Sequence, residues 1–110
     1  MNHLLELHCE PRHGQSPLAH ADISRLLDTL PGWSIDGIEL TKWFHFANYH
    51  ETMAFVNALA WIAHQEDHHP DLSVHYNRVQ VRFSTHDAGG LTLNDFICVA
   101  KTEALLAKSA

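Results

Sequence analysis

Cysteine is almost absent from this chain of 110 residues, which carries only Cys9 and Cys98. Two cysteines build neither a disulfide framework nor a paired-cysteine metal site, so both are expected as reduced thiols. Basic residues are also scarce, seven Lys and Arg against thirteen Asp and Glu, for a formal charge of -6. Phosphate binding needs a basic patch, and this deficit argues against direct contact with nucleic acid. Long apolar runs are missing as well. The longest mostly apolar stretch, Met53 to Ala63, is interrupted by Asn57 and falls short of the roughly 18 residues that a membrane span requires. The amino terminus shows no basic region followed by an apolar run, so no secretory signal is read and the expected location is cytoplasmic.

The remaining composition is that of an ordinary globular protein, 45% apolar, and the length suits one core. Residues 1–17 mix His, Pro, Gly, Gln and Ser without periodicity and are expected as a loose leader. Residues 18–110 are expected as a single domain. Its first element is a short amphipathic helix, with Ile23, Leu26, Leu27 and Leu30 on one face after a cap at Asp22 and a stop at Pro31-Gly32. Asp36-Gly37 then supplies the turn of a hairpin, followed by a strand with Ile38, Leu40, Phe44 and Phe46 on one face. Lys42 is the one charged residue on that face.

Asn48 and Glu51 have the spacing of a capping box for a second helix reaching about Asp67. That helix is apolar over more than half its circumference, so it is expected to meet both the sheet and a partner subunit. A second hairpin follows, with Leu72, Val74 and Tyr76 alternating on one strand and Val79, Val81, Phe83 and Thr85 on the next. After Ala88-Gly89-Gly90, Thr92 and Asp95 make another capping pair for a last helix. The predicted fold is α+β, in the order α-β-β-α-β-β-α: a four-stranded antiparallel sheet with three helices packed on one face.

Against this background one cluster stands out, His68-His69-Pro70, with His64 four residues before it and His86 on the following hairpin. A proline ends a helix, so the imidazoles are expected at a helix end, where a pocket can form. Imidazole exchanges protons near neutrality, so the first expectation is proton-transfer chemistry. The competing reading is a histidine-rich metal site of His64, His68 and His86. In His64-Gln65-Glu66-Asp67-His68 the glutamate stands third instead of second, so the zinc-protease pattern is not met, and no metal is expected. No G-x-S-x-G elbow for a nucleophile occurs.

The string His64-x3-His68-His69-Pro70-x5-Tyr76-x9-His86-x8-Asp95 resembles the signature of the pterin-4a-carbinolamine dehydratases. The likeness continues through Gly32-Trp33, Phe44-His45-Phe46 and Ser84-Thr85-His86 and spans residues 22–107. What the resemblance implies is dehydration of 4a-hydroxytetrahydropterin to quinonoid dihydropterin, the recycling step that follows an aromatic amino acid hydroxylase. It implies no metal or organic cofactor, a small-molecule pterin as substrate, and a homodimer or homotetramer. By the same match His68, His69 and His86 are the catalytic candidates, with His68 and His86 as acid and base and His69 orienting the pterin. Asp67, Ser84, Thr85 and Asp87 are expected to line the pocket with them. Asp95 is a candidate to orient a histidine, although its capping of Thr92 is already a complete structural reason for it. His64 departs from the acidic residue that many members carry there, and an imidazole in that place changes the tuning of its neighbours. The alternative reading is a non-catalytic binding module on the same scaffold, either a dimerisation cofactor of a transcription factor or an assembly factor.

Overall fold

The computed structural model describes residues 2–12 and 15–107. The elements run α1 (Asn2–Leu5), α2 (His20–Leu27), β1 (Ser34–Asp36), β2 (Glu39–His45), α3 (Tyr49–Glu66), β3 (Asp71–Val74), β4 (Arg78–Phe83), a 3-10 turn (His86–Ala88) and α4 (Leu93–Ala104). The strands form one antiparallel sheet in the order β1-β2-β4-β3. The α+β class and the hairpin pairing are as the periodicity predicts.

Alternation decides which face of the sheet is covered. Leu40 pairs with Phe83, Lys42 with Val81 and Phe44 with Val79, and all of these except Lys42 are fully or almost fully buried. Lys42 lies on the core face without an orphaned charge, because its Nζ pairs with Glu103 of α4 and rests 4.9 Å from the Phe44 ring centre. Trp33 Nε1 donates to the same Glu103 carboxylate at 2.8 Å. The opposite face is polar and open. There Arg78 stacks over Trp43 at 4.8 Å, and Arg82 meets Asp36 at 3.0 Å and Glu39 at 3.2 Å.

The long helix α3 starts where its cap predicts, with Asn48 Oδ1 accepting from Glu51 N at 2.9 Å and Glu51 Oε2 accepting from Ala47 N at 3.1 Å. It lays Thr52, Phe55 and Leu59 into the core. Helix α4 is more deeply set, buried continuously from Asn94 to Ala100. Its apolar residues Phe96, Ile97, Val99 and Ala100 join the core cluster with Phe83 and Val81.

Some expectations change at the edges. Helix α2 begins at His20 with Ala19 as its cap residue and stops at Leu27, so Asp22 lies inside it. Ile38 belongs to the turn and is 52% exposed. The expected loose leader is, over residues 2–12, packed: Leu4 is 3% exposed within the core, and Leu5, Leu7 and Cys9 lean on it. Met1, His13, Gly14 and Lys108 to Ala110, which complete the expected leader and domain, lie outside the described residues. The apolar stripe of this leader is too short to show a period in the sequence, and its packing comes from contact with α4 and the core instead of from local propensity. Farther along, Leu18 N donates to Leu91 O at 2.8 Å, and Pro17 stands so close to Gly90 that a Cβ there would sit 3.0 Å from it.

Candidate active site

The site is assembled where α3 ends, β4 ends and α4 begins. Helix α3 closes on Asp67, whose φ of 50° and ψ of 42° are left-handed. His68 N donates back to Ala63 O at 3.1 Å and Asp67 N to His64 O at 3.3 Å, a Schellman arrangement that satisfies the last free carbonyls. The helix therefore ends at Glu66, four residues before Pro70, and the αL residue, not the proline, turns the chain. His68 consequently leaves the helix axis, and the stacking of His64 one turn beneath it, which a longer helix would produce, does not arise. His64 is exposed on α3 with its ring 6.1 Å from that of Trp61. It shares the lining of an open depression with Asp67, His68 and His69.

His68 is the most constrained imidazole of the group. Its side chain is 12% exposed, its ring lies parallel to Phe83 at 6.1 Å, and its Nε2 is 2.7 Å from Asp95 Oδ1. Asp95 is fully buried. Its other oxygen, Oδ2, accepts from Thr92 N at 2.9 Å and Thr85 Oγ1 at 2.7 Å. Since the Thr85 proton is committed to Asp95, the 2.7 Å contact between the two threonine hydroxyls is donated by Thr92. Every contact of Asp95 is thus one that a carboxylate accepts, which puts the ring proton of a neutral His68 on Nε2. Nδ1 has no hydrogen bond among the described residues. The capping partner of Thr92 and the partner of His68 are one and the same side chain.

Around this anchor, Asp67, His68, His69, Ser84, Thr85, His86 and Asp87 enclose a cavity of about 240 Å³. The candidate residues from the end of α3 and the end of β4 are brought together, whereas Asp95 stands behind His68, and His64 lies outside this lining. His69 and His86 are exposed. Ser84 Oγ is buried with no hydrogen-bond partner among the described residues, and a buried hydroxyl of that kind calls for a polar ligand or water. No group of three or more His, Cys, Asp or Glu side chains among the described residues could hold a metal ion. The histidine-rich metal reading therefore finds no assembled ligand set there.

The packed leader adds residues that the sequence reading overlooked. A second cavity of about 300 Å³ shares Asp67, His68, Thr85 and Asp87 with the first and is walled by Cys9, Glu10, Pro11, Arg12, Glu66 and Asn94. Asn94 holds that wall in place: its Oδ1 accepts from Glu10 N and Arg12 Nε, both at 3.2 Å, and its Nδ2 donates to Glu10 O at 2.7 Å. Glu66 accepts from Cys9 N at 2.7 Å and contacts His8 Nδ1 at 2.9 Å. Burial alone pushes the Glu66 carboxyl up, yet these hydrogen bonds and the charge of Lys101 together hold it below its ordinary value. The alternating stripe Leu5, Leu7, Cys9 is the one signal that could have revealed the segment.

With this geometry established, similarity to known proteins becomes decisive. A family profile described as pterin 4 alpha carbinolamine dehydratase matches residues 16–105. The chain belongs to the pterin-4a-carbinolamine dehydratase family. A relative from Chromobacterium violaceum, named "Putative pterin-4-alpha-carbinolamine dehydratase", is 78% identical over 102 residues, covering 93% of this chain and 94% of its own. One of the same name from Xanthomonas oryzae pv. oryzae is 59% identical, covering 93% and 89%. The crystal structure of a transcriptional coactivator/pterin dehydratase from Brucella melitensis aligns with a TM-score of 0.80 at 31% identity, covering 84% of this chain and all of that one. A pterin dehydratase-like RuBisCO assembly factor of the alpha-carboxysome, at 24% identity and a TM-score of 0.57, covers 70% of this chain and 89% of its own. It shares the fold alone. In this chain His68, His69 and His86 line one cavity at one end of the sheet.

Proposed function

We infer that this protein is a 4a-hydroxytetrahydropterin dehydratase, a hydro-lyase that eliminates water to give quinonoid dihydropterin. Beyond family membership, one observation carries the reading: two separate segments converge three histidines and an unpartnered buried hydroxyl on one small cavity, with one imidazole fixed by a buried carboxylate. The reaction asks for that equipment. The C4a hydroxyl leaves as water when it receives a proton, N5 gives up its own proton, and the electron pair so released forms the C4a=N5 double bond.

His68 and His86 divide the donor and acceptor roles, and such positioned groups typically contribute ~10²- to 10⁴-fold. Asp95 keeps the His68 ring in one orientation and one tautomer, leaving Nδ1 for proton exchange. His69 orients the pterin from the exposed lip. Asp67, Ser84, Thr85 and Asp87 supply polar contacts to the ring, and the lone Ser84 hydroxyl finds its partner there. None of these steps calls on a metal or organic cofactor, so the proposal includes none, with the pterin itself as substrate.

No helix of the described chain is long and apolar enough to cross a membrane. We place the enzyme in the cytoplasm, serving an aromatic amino acid hydroxylase, as a homodimer or homotetramer without direct contact to nucleic acid. The outer side of α3 supports self-association, since Trp61 is 61% exposed beside the small residues Ala60 and Ala63. The deciding measurement is turnover of chemically generated 4a-hydroxytetrahydropterin by the purified protein. Decay no faster than in buffer would reject the reading.

A further inference from the structure

The two cysteines lie 89 positions apart in sequence and meet in the fold, Sγ to Sγ, at 3.5 Å. We propose that they form a site of reversible oxidation, a Cys9–Cys98 disulfide that clasps the amino-terminal segment onto α4. Closing the bond requires a sulfur separation of about 2.0 Å, an approach of roughly 1.5 Å. The two partners are unequally able to make that move. Cys98 is fully buried in α4, whereas Cys9 is half-buried in a segment without helix or strand. That segment is already tied on both sides of Cys9, by Glu66 to Cys9 N and by Asn94 to Glu10, so the thiols stay in register before any bond forms.

The same asymmetry sets the order of events. The hydrogen bond to Cys9 and burial both push the Cys98 thiol up, so Cys9 is the sulfur that meets an oxidant first. With a hydroperoxide as oxidant, the Cys9 thiolate attacks the peroxide oxygen, the O–O bond breaks, and Cys9 becomes a sulfenic acid with release of hydroxide. Cys98 sulfur then displaces the sulfenic hydroxyl, and its proton leaves with that oxygen as water. In total two thiols and one hydrogen peroxide give one disulfide and two waters. A dithiol reverses the change.

The test treats the full chain with a small excess of hydrogen peroxide, then measures intact mass, a non-reducing peptide map and thermal unfolding. The expected product has lost two hydrogens, carries a Cys9–Cys98 linked peptide within one chain, and has a melting temperature raised by on the order of 10 °C, because the bond closes a long loop. Dithiothreitol restores the starting values. Cys9→Ser, a change at a half-exposed position, is expected to leave Cys98 unmodified and the melting temperature insensitive to peroxide. Over-oxidation of Cys9 to sulfinic acid with Cys98 still free, or cross-links only between chains, would overturn the proposal. These readouts do not depend on turnover, so their failure leaves the dehydratase assignment standing.

Discussion

His68 and His86 face the same cavity from opposite conditions. His68 is packed on Phe83 and bonded to a carboxylate with no exposure, whereas His86 sits on a 3-10 turn in contact with solvent, as His69 does on its own side. One wall of the site is therefore part of the hydrophobic core and the other is a surface lip. A side chain on the core wall serves stability and chemistry together, and a side chain on the lip can serve chemistry alone. The difference predicts which substitutions damage two properties and which damage one.

The largest effect is expected at Asp95. Asp95→Ala removes the acceptor of His68 Nε2, Thr85 Oγ1 and Thr92 N in one step. Each buried donor left unpaired costs about 1–3 kcal/mol, so a loss of roughly 3–5 kcal/mol follows after allowing for non-additivity. Activity falls by ~100-fold or more as His68 loses its orientation. Asp95→Asn keeps the volume and offers one acceptor oxygen, and is expected to recover part of the stability while turnover stays at least ~10-fold down. Wild-type turnover in Asp95→Asn would show that the carboxylate is only a cap.

Next in size are the histidines themselves. His68→Ala and His86→Ala are each expected to lower kcat/KM by ~10-fold or more. Only His68→Ala also lowers stability, by roughly 1–3 kcal/mol, because it leaves Asp95 Oδ1 buried and unpaired. His69→Ala raises KM more than it lowers kcat. Steady-state kinetics beside urea denaturation check all three, and equal stability losses in His68→Ala and His86→Ala would erase the distinction between wall and lip.

The lip was far more legible in the sequence than the wall. His69 and His86 announce themselves through a local motif, and the hairpins through Asp36-Gly37 and strict alternation. The bond from His68 to Asp95 joins residues 27 apart, and nothing local distinguishes a carboxylate that caps a helix from one that also holds a ring. The expected end of α3 agrees with the observed one to within a residue, but the chain turns there for another reason. Asp67 stands in place of the glycine that usually marks a Schellman end, so the sequence points to Pro70 instead. The amino-terminal wall leaves only the short stripe Leu5, Leu7, Cys9 as a local signal, because Leu4, Leu5, Leu7 and Cys9 find their packing partners in the distant core and on α4.

Glu66 extends the comparison to charge, on the side of the wall that the leader builds. Its folded carboxyl titrates below the ordinary 4.5, so it contributes stability that is fully present above that value and is lost as the pH falls through the folded pKa. Glu66→Gln is expected to weaken the fold at neutral pH and to flatten the decline of stability on acidification. Urea denaturation at several values across roughly pH 3 to 7 would reveal it. An unchanged slope against pH would mean that the carboxylate is not what fastens the leader.

The smallest expected effect belongs to Asp67, which stands where wall and lip meet. It is the one non-glycine residue with positive φ among the described residues, and such a conformation costs on the order of 1 kcal/mol for a side chain bearing a Cβ. Glycine accepts that geometry without strain but pays more entropy on folding, so Asp67→Gly is expected to gain only roughly 0.5 kcal/mol. If the carboxylate contacts the pterin, the same change raises KM several-fold while the protein becomes slightly more stable. Opposite signs in the two measurements would identify Asp67 as a residue kept in strain for binding. A more stable variant with unaltered KM would leave its left-handed turn as a means of aiming His68 and nothing more.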